Sequence, residues 1–488
     1  MPVNFVPSGA EMLRILPEII LVLAGTLIMI MEPLTRPANK HFLGKFALAS
    51  LFAALWGSVV AHANPGPAFQ NMLIVDGFDT FFRILVIVVG ILTVLASFQY
   101  LKREQSDSGE YYALILFSLV GQCVMAGANE LIMVFIGLEI SSIATYVLTG
   151  YLRDDKRANE AAIKYFLLGS FATAFLLYGI AWIYGLTGST NLTEIRSALM
   201  DLQTSPSVML VGTAAALMLV GFAFKVSAAP FQVWTPDVYQ GAPAPVAAFL
   251  STGPKAAAFA IFVRVYATAF DSISARWEPL IWISALLTMV IGNFAALVQN
   301  NIKRLLAYSS IAHAGYLLVA MTAHSEIGIA AIMFYLAAYA LMNVGAFAIV
   351  AHFSRRRERY LQVEDLAGLG WKQPVTAGLF AIFLLSLIGV PLTAGFFGKF
   401  YIFKAALEAD LLWLTILGLL TSAVAAYYYL RILVVMYMHE AGEPASTLPP
   451  PGAGLKTALW ASAVGTLILG IFPSLVLDFA GRSATLLK

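Results

Sequence analysis

The chain reads as an all-α polytopic membrane protein of about fourteen transmembrane helices, and three observations predict this. Apolar residues make up 60% of the 488 and charged residues only 11%, whereas a soluble domain carries about 25% charged residues. Apolar runs recur from end to end with no polar domain between them. Each run is continuous and lacks period-two alternation, which excludes a closed β-barrel.

A helix needs about 20 mostly apolar residues to cross about 30 Å of hydrocarbon. Residues 11–31 hold Glu11, Arg14 and Glu18 and then a long apolar run, with no small-residue cleavage site after it. The segment is therefore expected to be a retained first span and not a signal peptide. Spans 2 and 3 follow at 44–62 and 79–98. Spans 4 and 5, at 111–127 and 129–150, are the hardest pair to separate, and span 6 covers 159–186.

Span 7, at 207–226, carries Lys225 and runs into VSAAPFQVWTPDVYQGAPAPVAA, with Pro230, Pro236, Gly241, Pro243 and Pro245. Span 8, at 244–270, holds Pro254 and Lys255; spans 9 to 11 occupy 278–298, 303–323 and 327–353. Span 12, at 375–406, is interrupted by GVPLTAGFFGKF, with Gly389, Pro391, Gly395 and Gly398 just before Lys399. Spans 13 and 14 are expected at 411–438 and 456–479. Proline removes a backbone hydrogen bond and blocks the preceding turn. Such breaks survive at membrane depth only where protein or a water-lined cavity satisfies the freed groups.

Two broken spans in corresponding positions point to inverted repeats around an ion site. Lys225 and Lys399 are 174 residues apart (399 − 225), and the same offset carries Glu139 onto His313. Two five-helix units would produce that pairing. The expected division is 1–110 as a three-helix segment, 111–270 and 271–440 as the two repeats, and 441–488 as a C-terminal helix.

Basic residues give the orientation. With the N-terminus outside, inner loops hold Arg36, Lys40, Lys45, Lys102, Arg103, Arg153, Lys156 and Arg157. They also hold Lys303, Arg304, Arg355, Arg356, Arg357, Arg359, Lys372 and Lys456, whereas outer loops hold mainly Arg196 and Arg276. Both termini are expected on the outer side, which an even number of spans requires. The net charge of +2 is small and by itself says nothing about a nucleic-acid partner; none is expected for a chain embedded in the bilayer.

Charges inside the spans carry the functional signal, because each costs on the order of 2.5–3.5 kcal/mol at the bilayer centre. Glu139, Lys225, Lys255 and Lys399 are the four that helix-end snorkelling explains least well, and His313 adds a titratable ring. Glu139 is the natural counter-charge of Lys225, and moving it would switch the lysine's proton occupancy. A static ion pair, or a histidine satisfied within the core, is the structural alternative. Arg83, Lys164, Arg264 and Arg431 lie within about two turns of predicted helix ends, where snorkelling suffices, and Lys404 is placed with them. Asp237 is expected to cap the short half-helix after span 7. Cys123, the only cysteine, reads as a small buried residue. His41, His324, His352 and His439 show no metal-ligand spacing. No phosphate loop, nucleophile elbow or cysteine cluster is present, so transport must be driven by an ion gradient or by a partner.

At these residues the chain resembles the antiporter-like membrane subunits of proton-pumping NADH:quinone oxidoreductase (respiratory complex I). GFAFKVSAAPFQVWTPDVYQGAPAPVAAFLSTGPKAAAF at 221–259, NIKRLLAYSSIAHAGYLLVA at 301–320 and GVPLTAGFFGKFYIF at 389–403 carry the likeness. WTPDVYQGAPAP favours the subunit N type over the L and M types. The resemblance implies fourteen helices in two inverted five-helix repeats, with helices 7 and 12 discontinuous. It implies a switchable Glu139–Lys225 pair, Lys255 as the bridge and Lys399 as the terminal donor or acceptor, with His313 less certain. It also implies M-type and K-type neighbours, and NADH, FMN, iron–sulfur clusters and quinone on partner subunits, with no cofactor on this chain. The expected location is the bacterial inner membrane. A stand-alone cation/proton antiporter subunit and a spacer without its own proton path remain the rival functions.

Overall fold

The computed structural model describes residues 7–34, 40–202 and 208–485; Arg36 of the first inner loop lies outside them. The described chain is helical throughout, apart from a small antiparallel hairpin pairing Gly66–Ala68 with Leu73–Val75. Among the described residues twelve helices are long and apolar enough to cross a membrane. The expectation of an all-α polytopic membrane protein is therefore met.

Burial sorts these helices into a centre and a rim. Ala244–Ala269, Ile302–Thr322 and Glu326–Phe353 are almost wholly enclosed, whereas Lys156–Thr187, Asp271–Leu297 and Leu412–Met438 turn much of their length outward. Helices that are hydrophobic all round belong in the core, and the sequence places Lys255 and His313 on two of the enclosed ones. Side-chain caps fix several entry points. Asp76 accepts from the Asp79 amide at 2.7 Å, Asn301 from Arg304 at 3.1 Å and Ser325 from Gly328 at 3.1 Å.

Both broken spans are seen. After Val208–Val226 the chain loops through a cis Ala229–Pro230 bond into the short helix Thr235–Gly241, then restarts at Ala244. Pro374–Ile388 ends at Gly389, whose φ of 95° is in the left-handed region, and Ala394–Glu408 follows. Gly395 is required there because a Cβ would sit 1.8 Å from the Ser386 carbonyl oxygen.

Some boundaries differ from expectation. The first span is split into Gly9–Arg14 and Leu16–Met31. The run at 456–479 is not one span: Ala453–Ile471 stops before Pro473, and Ser474–Thr485 is a separate helix. Proline disfavours helical backbone in the residue before it, which ends the first piece at that point. The segment 441–488 therefore carries more than one helix.

Candidate functional site

Lys225 sits in the last turn of Val208–Val226, where the following break leaves it facing Leu131–Thr149. Its Nζ donates to Ser142 Oγ at 2.6 Å and to Tyr146 Oη at 3.3 Å, and lies over the Tyr146 and Tyr165 rings. Glu139, Ser142 and Tyr146 are spaced i, i+3, i+7 and so share one helix face. Glu139 is within Coulombic reach of Lys225, yet no ion pair within 4 Å joins them among the described residues. One Glu139 oxygen is buried without a hydrogen-bond partner. The expected pair therefore stands open, with the lysine held by hydroxyls one turn further along.

The backbone freed by the break after Lys225 is satisfied internally. Trp234 Nε1 donates to the Phe224 carbonyl at 3.0 Å, the Ala229 amide to Thr288 Oγ1 at 2.7 Å, and Ser284 Oγ to the Ala229 carbonyl at 2.7 Å. Trp234 stacks on Tyr165 at 4.5 Å and meets Tyr239 edge-on at 6.1 Å. The fully buried Tyr239 turns its hydroxyl toward Ser310 without a well-formed hydrogen bond.

Ser310 is also the anchor of Lys255, whose Nζ lies 2.5 Å from its Oγ and 3.1 Å from its carbonyl oxygen. Lys255 is only 2% exposed. Three residues on from Ser310, His313 is held between Tyr335, on Nδ1, and Tyr429, 3.2 Å from Nε2. Tyr429 also bonds Ser309. Lys399 donates to the carbonyls of Leu387 and Ile388 at 3.0 and 2.9 Å and to Ser422 Oγ at 2.8 Å, over the Tyr316 ring. Those carbonyls belong to the end of Pro374–Ile388, where no next turn exists to use them. The break thus creates the cradle of Lys399, and His313 lies within Coulombic reach of both Lys255 and Lys399.

All five expected residues therefore lie on helices of the bundle, and hydroxyls contact Lys225, Lys255, His313 and Lys399. Ser142, Tyr146, Tyr239, Ser310, Tyr429 and Ser422 were not picked out from the sequence. Tyrosine and serine are ordinary in apolar helices, and only YSSIAH at 308–313 clustered them visibly.

Four expectations need correction. Arg83 does not snorkel: it is 1% exposed and meets Glu18 at 2.9 Å and Asp79 at 3.1 Å. Arg264 is buried on Asp76, with contacts of 2.8 and 3.0 Å. Lys303, assigned to an inner loop, is fully buried against Glu358 at 2.6 Å. Asp237 caps nothing and instead bridges Lys164 and Arg304. Arg83, Arg264 and Lys303 each meet a carboxylate remote in sequence (Glu18, Asp76 and Glu358), which linear distance to a helix end cannot reveal.

A family described as NADH:quinone oxidoreductase/Mrp antiporter, TM, matches residues 128–425. The chain is 63% identical to NADH-quinone oxidoreductase subunit N 1 of Solibacter usitatus, covering 100% of both chains. It is 45% identical to subunit N of Trichlorobacter lovleyi, covering 97% of each. A chain of respiratory complex I from Thermus thermophilus superposes with TM-score 0.81 at 35% identity, over 95% of this chain and 99% of that one. A chain of the Mrp complex from Dietzia sp. has TM-score 0.85 at 22% identity, over 98% and 97%, a likeness of fold.

Proposed function

The chain belongs to the subunit N group of the NADH:quinone oxidoreductase/Mrp antiporter family, and from that premise we propose how its buried lysines work. It is an antiporter-like, proton-translocating membrane subunit of NADH-quinone oxidoreductase. NADH, FMN, iron–sulfur clusters and quinone act on partner subunits, and M-type and K-type membrane subunits are its neighbours. The enzyme sits in the bacterial inner membrane with both termini of this chain outside, in line with the excess of Lys and Arg in the assigned inner loops. Fourteen crossings result if Leu16–Met31 and the broken pair Pro374–Ile388 and Ala394–Glu408 are added to the twelve long helices. Residues 111–270 and 271–440 form the two inverted repeats.

One observation carries the mechanism: among the described residues Lys225, Lys255 and Lys399 have no carboxylate within 4 Å, and hydroxyls and carbonyls receive their Nζ atoms. A buried ammonium without a counter-charge is costly, so each lysine can exchange its proton where a static ion pair would hold it. A charge change arriving from the neighbouring subunit moves Lys225 between Glu139 and the Ser142–Tyr146 hydroxyls. The proton then passes by way of Tyr239 and Ser310 to Lys255, and by His313 to Lys399.

The test uses the whole enzyme in sealed lipid vesicles. Lys255→Met should leave NADH oxidation by uncoupled vesicles largely intact while lowering NADH-driven acidification several-fold. Unchanged acidification contradicts the path. Cation-driven proton flux without NADH or quinone favours the stand-alone antiporter.

A further inference from the structure

The N-terminal helices bury a second group of charges, separate from the lysine line. Arg83, on Gly77–Glu104, presents Nη2 to Glu18 Oε1 at 2.9 Å and Nε to Asp79 Oδ1 at 3.1 Å. Glu18 comes from Leu16–Met31, and its residue is 6% exposed, Asp79 0% and Arg83 1%. Nε and Nη2 are neighbours on one edge of the guanidinium plane, so the two carboxyl groups lie side by side. The remaining guanidinium nitrogen is spent elsewhere: Nη1 donates to the Arg14 carbonyl at 2.9 Å.

The charges do not balance. Two carboxylates face one guanidinium: Glu18 Oε1 and Asp79 Oδ1 have only their ion-pair contacts to Arg83, and the outer oxygens, Glu18 Oε2 and Asp79 Oδ2, are buried with no hydrogen-bond partner. Among the described residues no other cation lies within 4 Å of Glu18 or Asp79. Arg264 is committed to Asp76 through two contacts of 2.8 and 3.0 Å, leaving that pair neutral. Cys123 faces the cluster from Gly109–Gly127 as a buried thiol. His62 is turned to Thr80 Oγ1 at 3.1 Å. Two adjacent carboxylates in an apolar site cannot both ionise cheaply, and an unpaired buried charge is among the costliest features a core can hold.

We propose that Glu18, Asp79 and Arg83 form a proton-binding site in which the two carboxyl groups share one proton. The proton makes the cluster neutral and gives one of the two outer oxygens an O–H donor. Asp76, one turn before Asp79 and partly exposed, lies between the site and the end of the helix. With the N-terminus outside, this end faces the outer aqueous phase. The site is a proton store on that side, built on helices that the lysine line does not use.

Infrared spectroscopy of the intact enzyme in membranes tests this. At neutral pH the unmodified protein should show the carbonyl stretch of one protonated carboxylic acid that shifts when aspartate and glutamate carboxyls are 13C-labelled. Glu18→Gln and Asp79→Asn should each abolish that whole band, since either leaves one carboxylate on Arg83 and needs no proton. Absence of the band in the unmodified protein would overturn the proposal, and that measurement needs no variant to fold. A band that survives both substitutions, or halves in each, would equally overturn it.

Discussion

At the scale of single residues, the lysine line is read through its hydroxyl partners. Ser142 receives Lys225 at 2.6 Å, and a hydrogen bond to a charged group contributes about 1.5–3 kcal/mol. Ser142→Ala should therefore return Lys225 toward Glu139 and slow NADH-driven pumping on the order of tenfold, given that 1.4 kcal/mol is one decade. Initial rates of vesicle acidification check this, and Ser142→Thr should restore most of the loss. Tyr429→Phe removes the hydroxyl that links His313 Nε2 to Ser309. It should slow pumping several-fold while leaving assembly of the enzyme intact, as measured by the yield of complete complex. The charges were legible in sequence because a lysine in an apolar span is conspicuous. Their hydroxyl partners were not, since Ser142 and Tyr429 look like any other polar residue of a helix.

At the scale of elements, the second break shapes the surroundings of Lys399. Gly395 lets Ala394–Glu408 begin against the Ser386 carbonyl, and an added Cβ would stand 1.8 Å from that oxygen. Gly395→Ala must push the two half-helices apart, at a cost of about 1–3 kcal/mol for an overpacked site. The carbonyl cradle of Lys399 should widen with it. Thermal unfolding of the purified enzyme should shift downward, and an unshifted midpoint contradicts the packing argument. A second element-scale prediction concerns pH. Glu32, just past the first span, is raised by burial, but Lys40, the Gly109 amide at 2.7 Å and the Ser108 hydroxyl at 3.1 Å outweigh this. Its carboxyl is held below the usual range. A depressed carboxyl adds stability above its unfolded value of about 4.3 and loses it as pH falls through the lower folded value. Hydrogen exchange of the Gly109 amide should therefore quicken only in strong acid, and in Glu32→Gln it should be fast at every pH.

At the scale of the whole molecule, the sequence revealed the helical membrane class and the two broken spans, because hydropathy and proline are local signals, and it singled out the five residues proposed here for proton transfer. It misjudged Arg83, Arg264 and Lys303, whose partners Glu18, Asp76 and Glu358 come from other parts of the chain and meet them only in the packed bundle. Enclosure of Ile302–Thr322 and Glu326–Phe353 was likewise a property of the assembly of helices, visible only once they were packed. The account holds that Lys225 and Lys399 are the two ends of one proton path running between those enclosed helices. The most direct measurement is the number of protons moved per NADH oxidised by the complete enzyme in sealed vesicles, with Lys225→Ala and Lys399→Ala beside the unmodified protein. A lowered ratio in both variants is the predicted result, and an unchanged ratio in both would contradict the path.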